Sequence, residues 1–407
     1  MDYIIVILLL TFGYFLKDRY KTLNTKDFVL LDQLYVYHMI MSFVFYLYIR
    51  TNGGDAQGYW KIAKEIYFEE LWTKILLGNT SASDYVYLIC YLPSNILNLD
   101  FFTGTMLFGL LGYWGILLMI VTLKELFPLI QYVKHIKFLG VSIFPTILFL
   151  PNFHFWSGGV GKDTLLFFCA CAFFYAINNL KKRWWMLLFI IAIAYPIRPH
   201  ILLFLLAGFA TSFILKSKMY LVQKILITIV AFILFLPLLN NVLEFAKIDD
   251  ASVESFSQFS ESKSGALSRS AGSSVDIGNL PYPLQVFTFL YRPLFFDAPN
   301  ALGLLASIEN VAWILLTAIF LRNKPIRVFK SSHFIILSSF LYWLIGALAF
   351  APILGNLGII IRERNMFLPG FIIFAVAGLY NTTKFKKFEF YYQNILNKPN
   401  KQKQKIF

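Results

Sequence analysis

The sequence predicts an all-α protein that crosses a membrane many times. Its 407 residues are 58% hydrophobic and only 14% charged, and their mean hydropathy is +0.65. A soluble domain of this length carries far more charge, so the composition excludes that class of protein. Apolar runs also recur along the whole chain, which indicates about 11 transmembrane helices with short interfacial helices between them.

The apolar runs predict the spans in chain order. They cover residues 3–16, 28–49, 101–123, 138–151, 164–180, 184–197, 201–215, 220–241, 301–321, 333–353 and 366–380. The first run has no basic segment before it and no cleavage site after it, so we expect a retained helix and no signal peptide. Several runs are shorter than the ~20 residues that a bilayer requires, so neighbouring residues such as Pro196 to Arg198 are expected to continue the helices. The apolar segments 86–99 and 284–296 contain prolines and are predicted to be interfacial or re-entrant.

Basic residues concentrate in alternate loops between these spans. The clusters lie at residues 17–26, 124–137, 181–183, 216–224 and 322–330 and in the tail from residue 384 onward. Because cytoplasmic loops are enriched in Lys and Arg, these loops are predicted to be cytoplasmic, with the N-terminus outside and the C-terminus inside. Orientation and attraction to anionic membrane lipids then explain the formal charge of +14, and no nucleic-acid partner is expected.

The predicted organisation is one transmembrane domain followed by a short tail. The domain covers residues 1–383 with external loops at 50–100 and 242–285, and the basic cytoplasmic tail covers 384–407. Two of the three cysteines lie in C-x-C spacing on a predicted span, which indicates neither a disulfide framework nor a zinc site. No His, Asp or Glu set has the spacing of metal ligands, so neither a metal nor another cofactor is expected.

The stretch "WSGGVGKDTLLFF" superficially resembles a nucleotide-binding loop. Such a loop requires G-x-x-x-x-G-K-[ST] between a strand and a helix, whereas Trp156 occupies the first glycine position and Asp163 follows Lys162. Because the preceding segment is a predicted span, nucleotide binding is not expected. Lys162 and Asp163 instead lie at the external start of a predicted helix, which favours anions. The alternative is a glycine-rich turn with a self-neutralising Lys–Asp pair.

Four arginines on the predicted external side lie beside or within apolar sequence. They are Arg198, Arg292, Arg362 and Arg364. Charges at such depth are costly and usually mark a substrate path. The guanidinium group binds phosphate bidentately, so their convergence predicts an anionic ligand such as a lipid pyrophosphate. The alternative is that they reach lipid phosphates or pair with Asp297, Glu309 and Glu363. His200 follows Arg198 and Pro199 and is either a titrating group of this site or a structural histidine.

A candidate acid–base group lies after the second predicted span, in the sequence "NGGDAQGYWKIAKE". Asp55 follows two glycines, and the residues after it predict a short amphipathic helix on the membrane surface. A carboxylate in hydrogen-bonding reach of a sugar hydroxyl can accept its proton. An N-cap of the following helix is the alternative interpretation of Asp55.

These motifs together resemble a class of bacterial envelope enzymes. The segment "GGDAQGY" resembles the acidic D-x-x-x-Y loop of GT-C-type membrane glycosyltransferases and of the related O-antigen and exopolysaccharide polymerases. Other segments look like multi-span proteins of surface-polysaccharide loci, namely "FWSGGVGKDTLLFFCACAFFYAI", "IRPHI", "YRPLFFDAPNALGLLASIEN" and "GNLGIIIRERNMFLP". The resemblance extends over most of the chain between residues 50 and 380.

The resemblance implies a reaction, a location and partners. The donor would be a glycan on a polyprenyl pyrophosphate at the external face of the bacterial inner membrane, with other polysaccharide-assembly proteins as further partners. Asp55 or Asp163 would activate the acceptor hydroxyl. The pyrophosphate ligands would be Arg198, Arg292, Arg362 and Arg364, with Lys162 and His200 assisting. Two other classes stay open: a transporter or flippase of lipid-linked oligosaccharide, and a non-catalytic scaffold.

Overall fold

The computed structural model of the protein describes most of the chain. It covers residues 2–130, 137–138, 140–226, 275–298 and 301–381, and also residues 228, 229, 233, 236, 237 and 239. The predicted tail at 384–407 lies outside these residues. Of the predicted external loop at 242–285, only the part from residue 275 is described, and nine of the 22 residues of the span predicted at 220–241 also lie outside.

The described backbone is almost entirely helical. In chain order the helices are α1 (Asp2–Phe15), α2 (Thr25–Asn52), α3 (Asp55–Glu65), α4 (Phe68–Leu76), α5 (Ala82–Tyr91), α6 (Phe101–Leu126), α7 (Ile143–Thr146), α8 (Pro151–Phe155), α9 (Lys162–Asn178), α10 (Leu180–Ile197), α11 (Pro199–Lys216), α12 (Tyr282–Tyr291), α13 (Ala301–Arg322), α14 (Pro325–Ser331), α15 (Phe334–Phe350), α16 (Leu357–Arg364) and α17 (Leu368–Tyr380). Shorter helical turns lie at Leu16–Arg19, Leu92–Ile96, Ile147–Phe149 and Asn365–Phe367. Two strands, β1 (Lys137–Phe138) and β2 (Val141–Ser142), pair in antiparallel register.

Four of the described helices are long and apolar enough to cross a membrane: α2, α6, α11 and α13. Helix α15 is apolar and shorter, at 17 residues. The prediction of an all-α protein with helices that can span a membrane is therefore confirmed at this coarse level. The count of about 11 spans and the orientation of the two termini stay predictions.

The prediction of one membrane-spanning helix at residues 138–151 is wrong. The described residues of this region form the β1–β2 ladder, then the one-turn helix α7, a tight turn and the short helix α8. Gly140 has a φ of +82°, and Pro145 and Pro151 lack the N–H group that a continuing helix would use. These three residues explain why an apolar stretch does not become a membrane-length helix.

The core is built around α6, α9 and α17, whose side chains are buried on nearly every face. Helix α6 packs against α1, α2 and α9, and α17 packs against α13 and α15. Gly112 of α6 permits close packing, since a Cβ there would lie 1.9 Å from the Ser157 carbonyl oxygen. Close contact with α6 therefore fixes the start of the segment between α8 and α9.

Charged side chains group at the two ends of this bundle. One group, here the basic end, comprises Lys17, Asp27, Asp32, Lys124, Glu125 and Arg183. The other, here the motif end, comprises Asp55, Asp163, Lys162, Arg198, Arg362 and Glu363. Helix α2 connects the two, because Asp27 lies in its first turn and Asp55 lies three residues after its last residue, Asn52. At ~1.5 Å per residue, its 28 residues separate the two ends by about 40 Å.

Candidate functional site

A cavity of about 200 Å³ lies at the motif end, where α2 ends and α3 and α9 begin. Its walls are Phe45, Tyr48, Ile49, Gly53, Gly54, Asp55, Ala56, Tyr59, Trp156, Gly159, Val160, Gly161, Asp163, Thr164 and Arg362. The two glycine-containing motifs, which lie about a hundred residues apart in the sequence, thus face the same space. Gly54 and Gly161 have φ values of +145° and +152°, which side chains rarely adopt, so both motifs require glycine at these turns.

One arginine joins the two carboxylates of this cavity. Arg362 on α16 donates from Nε to Asp163 Oδ2 at 2.5 Å and from Nη1 to Asp55 Oδ2 at 3.3 Å. The Asp163 carboxylate raises the pKa of Arg362, so this guanidinium stays cationic. The Asp55 side chain is 60% exposed and that of Asp163 only 9%. The two predicted acid–base candidates therefore lie at the same cavity and bind the same arginine, with Asp55 open to solvent and Asp163 buried.

Asp55 is not the N-cap of its helix. Gly54 holds that position, and Asp55 is the first residue of α3. The capping interpretation of Asp55 is therefore wrong. The carboxylate instead points to Arg362 across the cavity.

Arg198 is the residue between α10 and α11. It lies near Asp163 but does not line the cavity. Its guanidinium binds Glu363 with both terminal nitrogens, Nη1 to Oε2 and Nη2 to Oε1, the latter at 2.7 Å. Its Nη2 also lies 3.9 Å from Asp163 Oδ1, which is an ion-pair distance but too long for a hydrogen bond. Arg198 therefore influences the cavity through Asp163.

Two buried polar atoms of the cavity walls have no hydrogen-bond partner: Asp163 Oδ1 and Trp156 Nε1. Such atoms are uncommon, because leaving a buried donor or acceptor unpaired costs about 1–3 kcal/mol. The Trp156 ring also lies near Arg362, whose guanidinium carbon is 5.8 Å from the ring centroid. Both atoms are buried within the wall and are not exposed to the open space of the cavity.

Lys162 lies beside the cavity. Its Nζ donates to Ser83 Oγ at 3.1 Å and lies 5.7 Å from the centroid of the Tyr59 ring. Burial raises the pKa of Tyr59, and the nearby Asp55 charge adds to this effect. The self-neutralising Lys162–Asp163 pair is not what the structure shows, since Asp163 pairs with Arg362.

The other predicted pyrophosphate ligands do not line the cavity. Arg364 is buried and donates to the carbonyl oxygen of Leu290 at 2.7 Å and to Asn310 Oδ1 at 2.5 Å. Arg292 pairs with Asp297, whose other oxygen accepts from a backbone N–H. His200 lies against aromatic rings, with its centroid 5.6 Å from that of Phe350. Arg292 is therefore paired with Asp297, which was the alternative prediction for this residue. Arg364 connects α16 to α12 and α13.

The charges at the motif end balance, which differs from the basic cavity that the arginines predicted. Lys162, Arg198 and Arg362 carry three positive charges, and the carboxylates of Asp55, Asp163 and Glu363 carry three negative ones. The acids that neutralise Arg362 lie about 200 and 300 residues from it in the sequence, so no local pattern indicates them. A ligand of this cavity therefore meets a neutral set of fixed charges.

Two residues support the site in ways that sequence reasoning did not predict: Glu309, which was named only as a possible partner of the arginines, and Trp156. Glu309 on α13 is buried and accepts from the backbone N of Asn152 at 2.7 Å and from its Nδ2 at 3.0 Å. This contact holds the start of α8, and hence the segment that carries Trp156. Trp156 itself had no signal beyond its place before the glycines. Glu363 appeared only as a pairing alternative, and the structure assigns it to Arg198.

Within the part of the chain that the structure describes, no group of three or more His, Cys, Asp or Glu side chains is placed to hold a metal ion. The three cysteines are buried and unbridged. No protein-family model, curated protein or solved structure matches the chain.

Proposed function

We propose that this protein is a glycosyltransferase of the bacterial inner membrane, of the polysaccharide-polymerase type. Its donor is a glycan on a polyprenyl pyrophosphate, and it acts at the external face, where the motif end lies in the predicted orientation. One observation carries the proposal: Arg362 joins the accessible carboxylate of Asp55 to the buried carboxylate of Asp163 in a cavity with aromatic walls.

Asp55 is the general base of the proposed reaction. Its carboxylate is accessible, so an acceptor hydroxyl can approach within hydrogen-bonding distance and transfer its proton. The hydroxyl oxygen then forms a bond to the anomeric carbon of the donor sugar. The bond between that carbon and the pyrophosphate oxygen breaks, and the leaving group keeps the electron pair.

The cations of the motif end stabilise the departing pyrophosphate. Lys162, Arg198 and Arg362 surround Asp163, and fixed positive charges stabilise negative charge that develops in the transition state. Arg292, Arg364 and His200 are left out of this role, because their contacts hold them away from the cavity walls. Arg362 also keeps the two carboxylates in fixed relative positions.

The test is extension of a lipid-linked glycan by purified protein in liposomes. Wild-type protein is expected to lengthen the glycan, and Asp163→Asn and Arg362→Ala are expected to slow extension strongly. The rate is measured per folded molecule, because both variants break a buried ion pair. The matched control is Asp297→Asn, which removes the acid of another arginine pair outside the cavity. A wild-type protein that moves the glycan across the bilayer and never lengthens it would be a transporter. One that does neither would be a scaffold.

A further inference from the structure

Another cavity, here the lysine cavity, has a volume of about 330 Å³ and lies away from the motif end. Helix α11 begins next to Arg198, and at ~1.5 Å per residue its 18 residues end about 27 Å from that point. Helix α15 packs beside it in the opposite direction, since Phe350 at the end of α15 lies against His200 at the start of α11. The lysine cavity therefore lies between the last turn of α11 and the first turn of α15. Its walls are Phe213, Lys216, Ser217, Lys330, Ser332, His333 and Phe334.

Lys216 is held in this wall by backbone groups and not by an acid. Its Nζ donates to the carbonyl oxygen of Ser332 at 2.8 Å and to that of Lys330 at 3.0 Å. These carbonyls lie at the end of α14, so the lysine caps that helix. An ammonium group has three N–H donors, which leaves one for a ligand. The neutral carbonyls do not cancel the positive charge of Lys216.

The walls of the lysine cavity contain basic residues and no acidic one. Among the residues that the structure describes, no carboxylate lies within ion-pair distance of Lys216 or Lys330. The two segments that frame the cavity, 216–224 and 322–333, together contain seven Lys or Arg and no Asp or Glu. Burial and the Lys216 charge both lower the pKa of His333. An anion is therefore the complementary ligand.

Apolar side chains lie directly beside these charges. The rings of Phe213 and Phe334 belong to the walls, with centroids 5.9 Å apart, and Leu215 on the same helix is 64% exposed. Helix α11 is long and apolar enough to cross a membrane, so its last turn lies near the level of the lipid headgroups. A phospholipid presents its phosphate to cations at this level and its acyl chains to the apolar surface beside them. Free phosphate would use the cations alone.

We propose that the lysine cavity binds the phosphate group of an anionic phospholipid, with the ammonium groups of Lys216 and Lys330 as its ligands. A phosphate diester spreads its negative charge over two free oxygens, so each ammonium group can donate to one of them. Both basic segments are predicted to be cytoplasmic, so the lipid belongs to the cytoplasmic leaflet, where basic pockets between membrane helices bind headgroups. The inference is independent of the proposed function, because glycan transfer at the motif end does not enter it.

Lys330→Gln is the variant that tests this inference. Lys330 is exposed, and its side chain has no hydrogen-bond or ion-pair partner among the described residues, so the melting temperature should stay near wild type. The probe is phosphatidylglycerol, titrated into the purified full-length protein in detergent. Native mass spectrometry counts the bound lipids and gives the dissociation constant of the first one. Its affinity should fall about fivefold, which is the effect of one lysine beside an anionic lipid.

Lys218→Gln is the matched control. It removes the same charge from the same basic segment, at an exposed position outside the walls of the cavity, and it should bind phosphatidylglycerol as wild type does. Phosphatidylcholine should bind wild-type protein more weakly, because its own ammonium group neutralises the phosphate.

Four results would each overturn the inference. They are equal binding of the two lipids, an undiminished affinity of Lys330→Gln, an equal loss in Lys218→Gln, and displacement of the lipid by inorganic phosphate at the same concentration. The last result would assign the lysine cavity to free phosphate compounds. None of these results depends on whether the protein extends a glycan, so this inference and the proposed function fail separately.

Discussion

The two charged ends of the bundle use the same residue types in different ways. At the basic end each cation meets one acid: Lys124 lies 2.9 Å from Asp27, Arg183 lies 2.6 Å from Glu125, and Lys17 lies 2.7 Å from Asp32. At the motif end Asp163 lies within ion-pair distance of Arg198 and Arg362, and Arg362 also reaches Asp55. One end therefore consists of separate pairs, and the other is a network.

The two ends also differ in which charged side chains are exposed or lack a hydrogen bond. At the basic end each carboxylate lies within 2.9 Å of its one cation, and Arg183 also donates to the Tyr175 carbonyl oxygen and lies 3.6 Å from the centroid of its ring. Asp32 Oδ1 makes no hydrogen bond, but its side chain is 35% exposed, and a cavity at this end is lined by the paired Asp27 and Lys124. The network leaves Asp163 Oδ1 without a hydrogen bond and Asp55 largely exposed, beside a cavity. Buried charges that are fully paired contribute to one stable fold, whereas incompletely paired ones indicate a ligand site.

The largest expected difference between the ends is which side of the membrane they face. Asn52→Cys at the end of α2 and Lys182→Cys at the start of α10 are both on exposed positions. In a protein without Cys90, Cys169 and Cys171, a membrane-impermeant maleimide should label residue 52 in intact cells whose outer membrane is permeabilised. Residue 182 should react only after the inner membrane is opened. Labelling of both from the same side would refute the separation of the two ends.

Asp55→Asn should produce the largest loss of rate. Removing a general base lowers a rate by ~10²–10⁴-fold, and the amide keeps the size of the side chain. Because the side chain is 60% exposed, the melting temperature and the binding of the polyprenyl-pyrophosphate glycan should stay near wild type. Single-turnover extension in liposomes measures the rate. A fully active Asn variant would move the role of base to Asp163.

Asp27→Asn should have the opposite profile at the basic end. Asp27 and Lys124 have side-chain exposures of 8% and 9%, and removing one partner of such a buried pair costs about 3–5 kcal/mol. We expect a lower melting temperature in detergent and an unchanged rate of extension per folded molecule. A variant that folds normally but loses activity would show that the basic end also takes part in the reaction.

Much of the helical architecture follows from the sequence, because burial in lipid or core requires apolar runs that composition displays directly. The runs at 101–123 and 164–180 correspond closely to α6 and α9. The run at 138–151 does not become one helix, since Pro145, Pro151 and Gly140 interrupt the backbone pattern that hydropathy alone ignores. Hydropathy therefore predicts which segments are apolar more reliably than which are continuous helices.

The candidate site was only partly predictable. Arg362 stood out as a charge beside apolar sequence, and Asp55 and Asp163 as carboxylates that follow glycines at the start of predicted helices. The structure places all three around one cavity. Their pairing was not visible, because the contacts join α16 to α3 and α9 across 307 and 199 residues. The state of the Trp156 side chain could not be predicted at all, because whether its indole N–H has a hydrogen-bond partner depends on how every neighbouring residue packs.

The smallest predicted effect concerns Arg198, which acts on the cavity only through Asp163. Its two terminal nitrogens bind the two oxygens of Glu363, an arrangement that a lysine cannot reproduce. Arg198→Lys keeps the charge and loses one charge-assisted hydrogen bond, so extension should slow about tenfold. Glu363→Gln should slow extension to a similar degree.

The double variant decides whether Arg198 and Glu363 form one unit. If Glu363 acts by orienting Arg198 toward Asp163 Oδ1, 3.9 Å away, the second substitution has little left to remove. The rate of the double variant should then equal that of the slower single variant. Multiplied losses would mean that the two side chains contribute separately, and the motif end would then resemble the basic end in being a set of independent pairs.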